Sequence, residues 1–221
     1  MRYAIHVDDR PDGRLHSNEL LTQRVLELTG DERVETADEV LYVLDGEGEL
    51  EAAGERRPLR GGTAAFVAAG TPWRAGGVRA LSVLVHDPPS ATAPFAVRDL
   101  TAEERGSATA GRQFVLGTTP ELGCASATQF IGLVPPGRAP DHFHTYDEVI
   151  YILEGEGELL IDGERTPLRA GSCVHLPARL VHCLANTGDE ELRLLGVFRP
   201  AGSPAEAYYP DGTPAAVPDP D

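Results

Sequence analysis

Apolar runs of four to eight residues, each closed by Gly, Pro or Asp, recur along most of the chain. "FIGLVPPG", "EVIYILEGEG", "GELLIDGE", "SCVHLPA" and "LRLLGVFRP" are examples, rich in β-branched and aromatic residues and spaced about ten residues apart. Runs of this length and composition predict strands, and their even spacing predicts an all-β sandwich or barrel. "NELLTQRVLELTG" (18–30) can be drawn as an amphipathic helix. It falls opposite the strand-like "SATQFIGLVPPG" in the repeat described next, so it is read as a strand. One short helix is expected in "DLTAEERG", with Thr101 as N-cap and Glu103–Glu104 in its first turn.

The pattern is written twice. "DEVLYVLDGEGEL" begins at Asp38 and "DEVIYILEGEGEL" at Asp147, an offset of 109. At the same offset, "RRPLRGG" (56–62) falls on "RTPLRAG" (165–171). A repeat this long predicts two similar domains rather than a solenoid. The break lies in "HDPPSATAP" (86–94), where Pro, Ser and Ala replace the periodic pattern. The expected organisation is an N-terminal domain over 1–94, a connecting segment over 95–111 and a C-terminal domain over 112–221. Its Pro-rich acidic tail should be loosely ordered at its end, anchored by Tyr208–Tyr209.

Composition narrows the partners. No run of eighteen apolar residues predicts a membrane span, and "MRYAIHVDDRPDGR" lacks the apolar core of a secretory signal. Three Cys are poor material for a disulfide framework, so a cytoplasmic address is expected. The formal net charge is −16 and there is no Lys, every fixed positive charge being an Arg. Phosphate backbones and anionic lipid surfaces repel such a chain, so nucleic acid and membrane are unexpected partners. A small molecule remains, a local Arg pocket for a small anion stays open, and a homodimer is compatible with the reading.

Candidate chemistry lies in the second copy. His142 and His144 alternate along an extended segment and therefore share a face, and Glu148 keeps that parity if the bend at Thr145–Tyr146 costs no net residue. His182, in "GSCVHLPARLVHCLAN", would return beside them after a turn at Pro177–Ala178–Arg179. Three neutral imidazoles and one carboxylate suit one divalent transition metal, with Fe, Mn, Ni, Cu, Co and Zn all open. A buried Glu148 without a cation would be a costly unpaired charge.

The spacing resembles both motifs of the cupin superfamily. Gly137, His142, His144, Glu148 and Gly155 follow the first, and Gly171, Pro177, His182 and Asn186 the second. Four residues rather than five separate Gly137 from His142, and Arg179 stands where the family usually has Gly. The resemblance covers nearly the whole chain as two tandem double-stranded β-helix (cupin, jelly-roll) barrels, with the metal motifs strong only in the second. It implies His142, His144, Glu148 and His182 as the metal ligands.

In the first copy the offset turns these positions into Arg33, Glu35, Glu39 and Trp73. Neither guanidinium nor indole offers a lone pair to a metal. Arg33 is therefore expected to pair with Glu35 and Glu39 while Trp73 fills the vacated volume, leaving a scaffold that mimics the second subunit of a dimer. An anionic or aromatic ligand beside Arg33 and Trp73 is the competing reading. Ile150, Ile152 and Leu184 should wall the metal site, His175 should face away from it, and Cys173 and Cys183 should face each other as ordinary thiols. His6, His16 and His86 carry no spacing signal. Tyr146 is the candidate catalytic residue, a hydrogen-bond donor to substrate, with plain packing as its alternative.

A metal with four protein ligands keeps about two open positions. The absence of a second acid–base residue beyond Tyr146 favours chemistry carried by the metal and dioxygen. Cupins with this ligand set are often dioxygenases, and similar two-domain cupins include ureidoglycine aminohydrolase-like hydrolases and isomerases of antibiotic pathways. A dioxygenase-type oxygenase is expected first. A metal-dependent isomerase, decarboxylase or hydrolase, or a non-catalytic small-molecule binder, stands as the alternative.

Overall fold

A computed structural model describes residues 3–215, apart from the side chain of Ala102. Every extended element is a strand. The first half contains β1 (Ala4–His6), β2 (Arg14–Ser17), β3 (Leu21–Arg33), β4 (Asp38–Ala52), β5 (Glu55–Arg60), β6 (Thr63–Val67), β7 (Trp73–Val85) and β8 (Phe95–Asp99). The second contains β9 (Gly106–Ser107), β10 (Gln113–Leu116), β11 (Thr128–Val134), β12 (Gly137–Arg138), β13 (Asp147–Glu154), β14 (Glu156–Ile161), β15 (Glu164–Arg169), β16 (Ser172–Leu176), β17 (Cys183–Asn186) and β18 (Leu192–Arg199). Among the described residues no helix is long and apolar enough to cross a membrane.

The chain is all-β and folds as two tandem barrels. The first runs β2-β3-β7-β4-β6-β8, with β5 on β4. Register shifts between Val43 and Asp45 and between Gly46 and Glu49 bend β4 against β7, so one strand serves both walls. The second barrel has two sheets, β1-β16-β13-β18-β11-β10-β9 and β12-β17-β14-β15. Its β13 and β14 meet at Gly155, with φ +90°, and Gly46 takes φ +92° at the equivalent place in β4. A Cβ there would come within 3.0 Å of Leu192 Cα or 2.3 Å of Gly77 O, so the repeated Gly-Glu-Gly motif is a steric requirement of the corner.

Pairing crosses the boundaries read from sequence. β1 adds to the second barrel, Ala4 opposite Val174, while β8, from the connecting segment, completes the first, Phe95 opposite Val67. Each barrel has its own core, one around Ile152, Leu159, Leu192 and Phe198, the other around Leu41, Leu50 and Trp73. Two further apolar clusters join the halves: Leu21, Phe66 and Val83 pack with Val149 and Val197, and Tyr42 and Leu81 with Ile131 and Leu195. Within this layer Gln23 Nε2 donates to Ile150 O at 3.3 Å and Gln129 Nε2 to Leu41 O at 3.1 Å. Leu41 and Ile150 are repeat equivalents, so the contact is reciprocal, as at a two-fold interface.

The strand expected at 18–30 is present as β3. The helix expected in "DLTAEERG" is a single 3₁₀ turn, Leu100–Ala102, capped by Asp99 rather than Thr101. Aspartate wins the cap because its carboxylate accepts from both the N–H and the hydroxyl of Thr101. Cys173 and Cys183 do not face each other, since β16 and β17 lie in different sheets. All three thiols are free and buried.

Candidate metal centre

His142 sits in a short extended stretch before β13, and its backbone pairs with that of His182 through two hydrogen bonds of 3.0 and 2.8 Å. Phe143 pairs in the same way with Tyr208 of the tail, the rings stacked 5.5 Å apart. The strand alternation between these anchors turns His142 and His144 to one side, where His182 meets them. Ring nitrogens of the three lie within 4.8 Å of one another. Nitrogens about 2.1 Å from a shared ion lie roughly 3–3.5 Å apart, so small ring movements would close the set.

Each ring is also locked by a hydrogen bond at Nδ1. His142 uses Pro140 O at 3.0 Å, His144 uses Glu206 O at 2.7 Å, and His182 uses Leu180 O at 2.9 Å. A carbonyl only accepts, so every Nδ1 carries the proton and every Nε2 keeps its lone pair. Burial, with Arg112 nearby, lowers the pKa of His142 to about 4. Burial and His142 lower His144 to about 3, and burial with both neighbours carries His182 well below its ordinary value. The cluster is neutral at physiological pH, as metal ligands must be.

Glu148, on β13 between Leu176 and Phe198, lines the same cavity but stands outside the 4.8 Å group. Its carboxylate makes no hydrogen bond or ion pair among the described residues. Burial pushes its pKa up to about 8, against the opposing effect of Arg112. Gly196 makes its room: a Cβ there would lie 2.9 Å from Glu148 Oε1 and 2.3 Å from the Phe130 ring. Ile150 and Leu184 line the cavity as expected, whereas Ile152, expected beside them, is absent from the lining and packs in the barrel core.

Tyr146 is buried between His144, 4.7 Å from ring to ring, and Phe198, at 3.9 Å. Burial first, then Glu148 and Glu206, raises its pKa well above the ordinary value, so the phenol is neutral. His175 faces away: it hydrogen-bonds Asp147 at 2.9 Å and stacks on His16 at 3.8 Å in the seam between barrels. Arg179 takes φ +65°, the left-handed conformation for which the family's usual Gly is suited. The cavity at the histidines holds about 80 Å³. A separate cleft of about 1030 Å³ opens beside β1 and β15 and includes none of the clustered histidines.

Sequence reasoning missed Arg112. It precedes β10, lies outside the repeated motifs, and nothing distinguishes it from the other eighteen arginines. Its Nη2 donates to Leu184 O at 2.8 Å, and the residue lines the cavity.

In the first barrel Arg33 pairs with Trp73 across β3 and β7, as His142 pairs with His182. Its guanidinium lies 5.5 Å from the centre of the buried indole. Arg33 reaches Glu35 at 3.2 Å but not Glu39; Arg24 holds both carboxylates, at 2.8 and 3.0 Å. The expected pairing is corrected accordingly. Arg24 lies opposite Ser82 as Phe130 lies opposite Gly196, so the start of β3, before its register shifts, follows an offset of 106 and the alignment at 109 hid the arginine. Ser82 Oγ donates to Glu39 at 2.6 Å.

Residues 130–198 match the cupin domain family. The chain is 34% identical over 101 residues to polyketide synthase CurC of Streptomyces cyaneus, covering 44% of this chain and 66% of that protein. It is 38% identical over 78 residues to gentisate 1,2-dioxygenase of Ralstonia sp, covering 34% of this chain and 22% of that protein. The chain therefore spans just under two thirds of the first relative and about a fifth of the second. Among solved structures, AerE from Microcystis aeruginosa superimposes with a TM-score of 0.69 at 14% identity, over 84% of this chain and 90% of that one. At such identity the likeness is one of fold.

Proposed function

We propose that the chain is a metal-dependent two-barrel cupin enzyme acting on a small organic molecule, with a dioxygenase-type oxygenation as its reaction. The carrying observation is that three imidazoles, each locked at Nδ1 by a backbone carbonyl, turn free Nε2 lone pairs into one cavity that also holds the unpartnered carboxylate of Glu148. These four residues fit one divalent transition metal: the imidazoles are neutral, and a cation would relieve the burial of Glu148. When bound, the metal would supply redox and Lewis-acid chemistry toward substrate and dioxygen.

The chain's own residues divide the remaining work. Phe114, Phe130, Ile150 and Leu194 keep the cavity apolar and exclude water. Tyr146 holds its proton and serves as a hydrogen-bond donor rather than a base. Apart from the proposed ligands, the ionisable side chains lining the cavity are Tyr146 and Arg112. Hydrolysis or isomerisation would call for a general base that this lining lacks, and the likeness to a gentisate dioxygenase over 78 residues points the same way. In this reading the first barrel is a metal-free scaffold standing in for a second subunit, supported by the reciprocal Gln23 and Gln129 contacts. Free buried thiols suit a cytoplasmic setting.

The test is oxygen dependence. Metal-loaded protein given candidate substrates should consume dioxygen in proportion to product, and turnover should stop under strict anaerobiosis. Turnover that survives without oxygen would replace the oxygenase by the decarboxylase, isomerase or hydrolase reading.

A further inference from the structure

We propose that Arg112 is the acid-binding group of this site, and that the substrate is a small organic acid, or the acidic end of a larger one, with a second oxygen next to its carboxylate. The inference rests on the metal-centre reading. It begins with a guanidinium that lacks an anion. Arg112 Nη2 is satisfied by Leu184 O at 2.8 Å, but Nε is sealed from solvent with no acceptor. No carboxylate forms an ion pair with Arg112 among the described residues. Glu148 lines the same cavity without approaching to ion-pair distance, and Glu206 Oε1 is held by Thr145 at 2.8 Å and Tyr208 at 3.3 Å. A largely buried cation that no residue neutralises is expensive unless a ligand supplies the missing charge.

Charge and space then define that ligand. With neutral imidazoles, a divalent ion, Glu148 and Arg112 leave two positive charges uncompensated. A carboxylate together with an adjacent ionisable oxygen, as in a 2-hydroxy acid, an enol acid or a vicinal dicarboxylate, supplies both negative charges. The planar guanidinium fork matches a carboxylate through two parallel hydrogen bonds. A cavity of 80 Å³ offers room for about three waters' volume, which is one carboxylate and a few carbons. The walls of Phe114, Phe130, Ile150 and Leu194 add apolar contact and no competing charge.

The experiment is calorimetric titration of Mn²⁺-loaded protein with oxalate, glycolate and mandelate, each against its neutral amide. At least one acid should bind at least about tenfold more tightly than its amide. Arg112→Gln should abolish that preference, and Arg112→Lys should keep part of it, while both folded variants still take up Mn²⁺. Perturbation of the Mn²⁺ electron paramagnetic resonance spectrum by the acid gives a second readout independent of turnover. Glycolate binding would assign a small acid, and mandelate binding without glycolate binding the end of a larger one. Wild type binding none of the acids, or binding amides equally well, would overturn the proposal, as would an unchanged acid preference in a folded Arg112→Gln. Should wild type take up no Mn²⁺, the metal reading fails by itself, and the same titrations on metal-free protein still decide the role of Arg112.

Discussion

At the scale of single residues, His144 and Gly196 illustrate how differently function and packing respond to change. Replacing His144 by Ala removes a proposed ligand, and metal affinity should then fall at least about 100-fold while the fold persists. Equilibrium dialysis with metal analysis would measure it. Gly196→Ala drives a methyl to 2.3 Å from Phe130 and 2.9 Å from Glu148 Oε1. Overpacking there should cost about 1–3 kcal/mol, read from the denaturant midpoint. The histidines were legible because extended chain has a period of two, so residue spacing alone states which side chains share a face. Arg112 was illegible because its role comes from where β10 crosses the barrel, and Arg24 because the start of β3 is displaced by three residues from the repeat.

At the scale of elements, the tail after β18 packs onto the histidine cluster of the second barrel. It supplies the carbonyl of Glu206 that holds His144 at 2.7 Å, and Tyr208 clamps Phe143 between the two histidines of the His-x-His pair. A chain ending at Pro200 would leave His144 without its orienting acceptor. Its metal affinity should fall by about 10–100-fold, measured by competition with a chelator, while the strand content seen by circular dichroism stays. Equal affinity in the truncated chain would remove the tail from the account. The anchoring at Tyr208 was expected from sequence, yet the carbonyl that orients a ligand was not, because backbone groups carry no residue signature. Residues 216–221 of the tail lie outside the described structure, so its expected loose end does too. Strand existence was read correctly even at β3, whereas the 3₁₀ turn at Leu100–Ala102 was overcalled as a helix. Capping signals locate a start, but the six residues between β8 and β9 leave no length for helix growth.

At the scale of the whole molecule, the buried ionisable cluster sets a pH profile. Glu148 has a folded pKa of about 8 against an ordinary 4.5, so its contribution to stability is full below 4.5 and is lost as pH rises through 8. The imidazoles act in the other sense. With His142 and His144 lowered from 6.5 to about 4 and 3, stability is full above 6.5 and is lost as pH falls toward those values. Metal-free protein should therefore be most stable near pH 6.5 and lose about 2 kcal/mol by pH 8, at 1.36 kcal/mol per unit for one proton. A divalent metal should erase that loss, because it favours the same ionised carboxylate that burial disfavours. Thermal melts at both pH values, with metal and with chelator, check the sign. The two-barrel plan itself was legible, since the repeat and its glycines fix the corners. The exchange of β1 into the second barrel was not, because three residues of edge strand carry no pattern.

The most direct test of the account is metal stoichiometry by inductively coupled plasma mass spectrometry on the wild-type chain and on His142→Ala/His182→Ala. The prediction is about one divalent transition metal ion per wild-type chain and close to none in a folded double variant. Wild-type protein that takes up no metal after exposure to each candidate ion, or a double variant that retains the full complement, would contradict it.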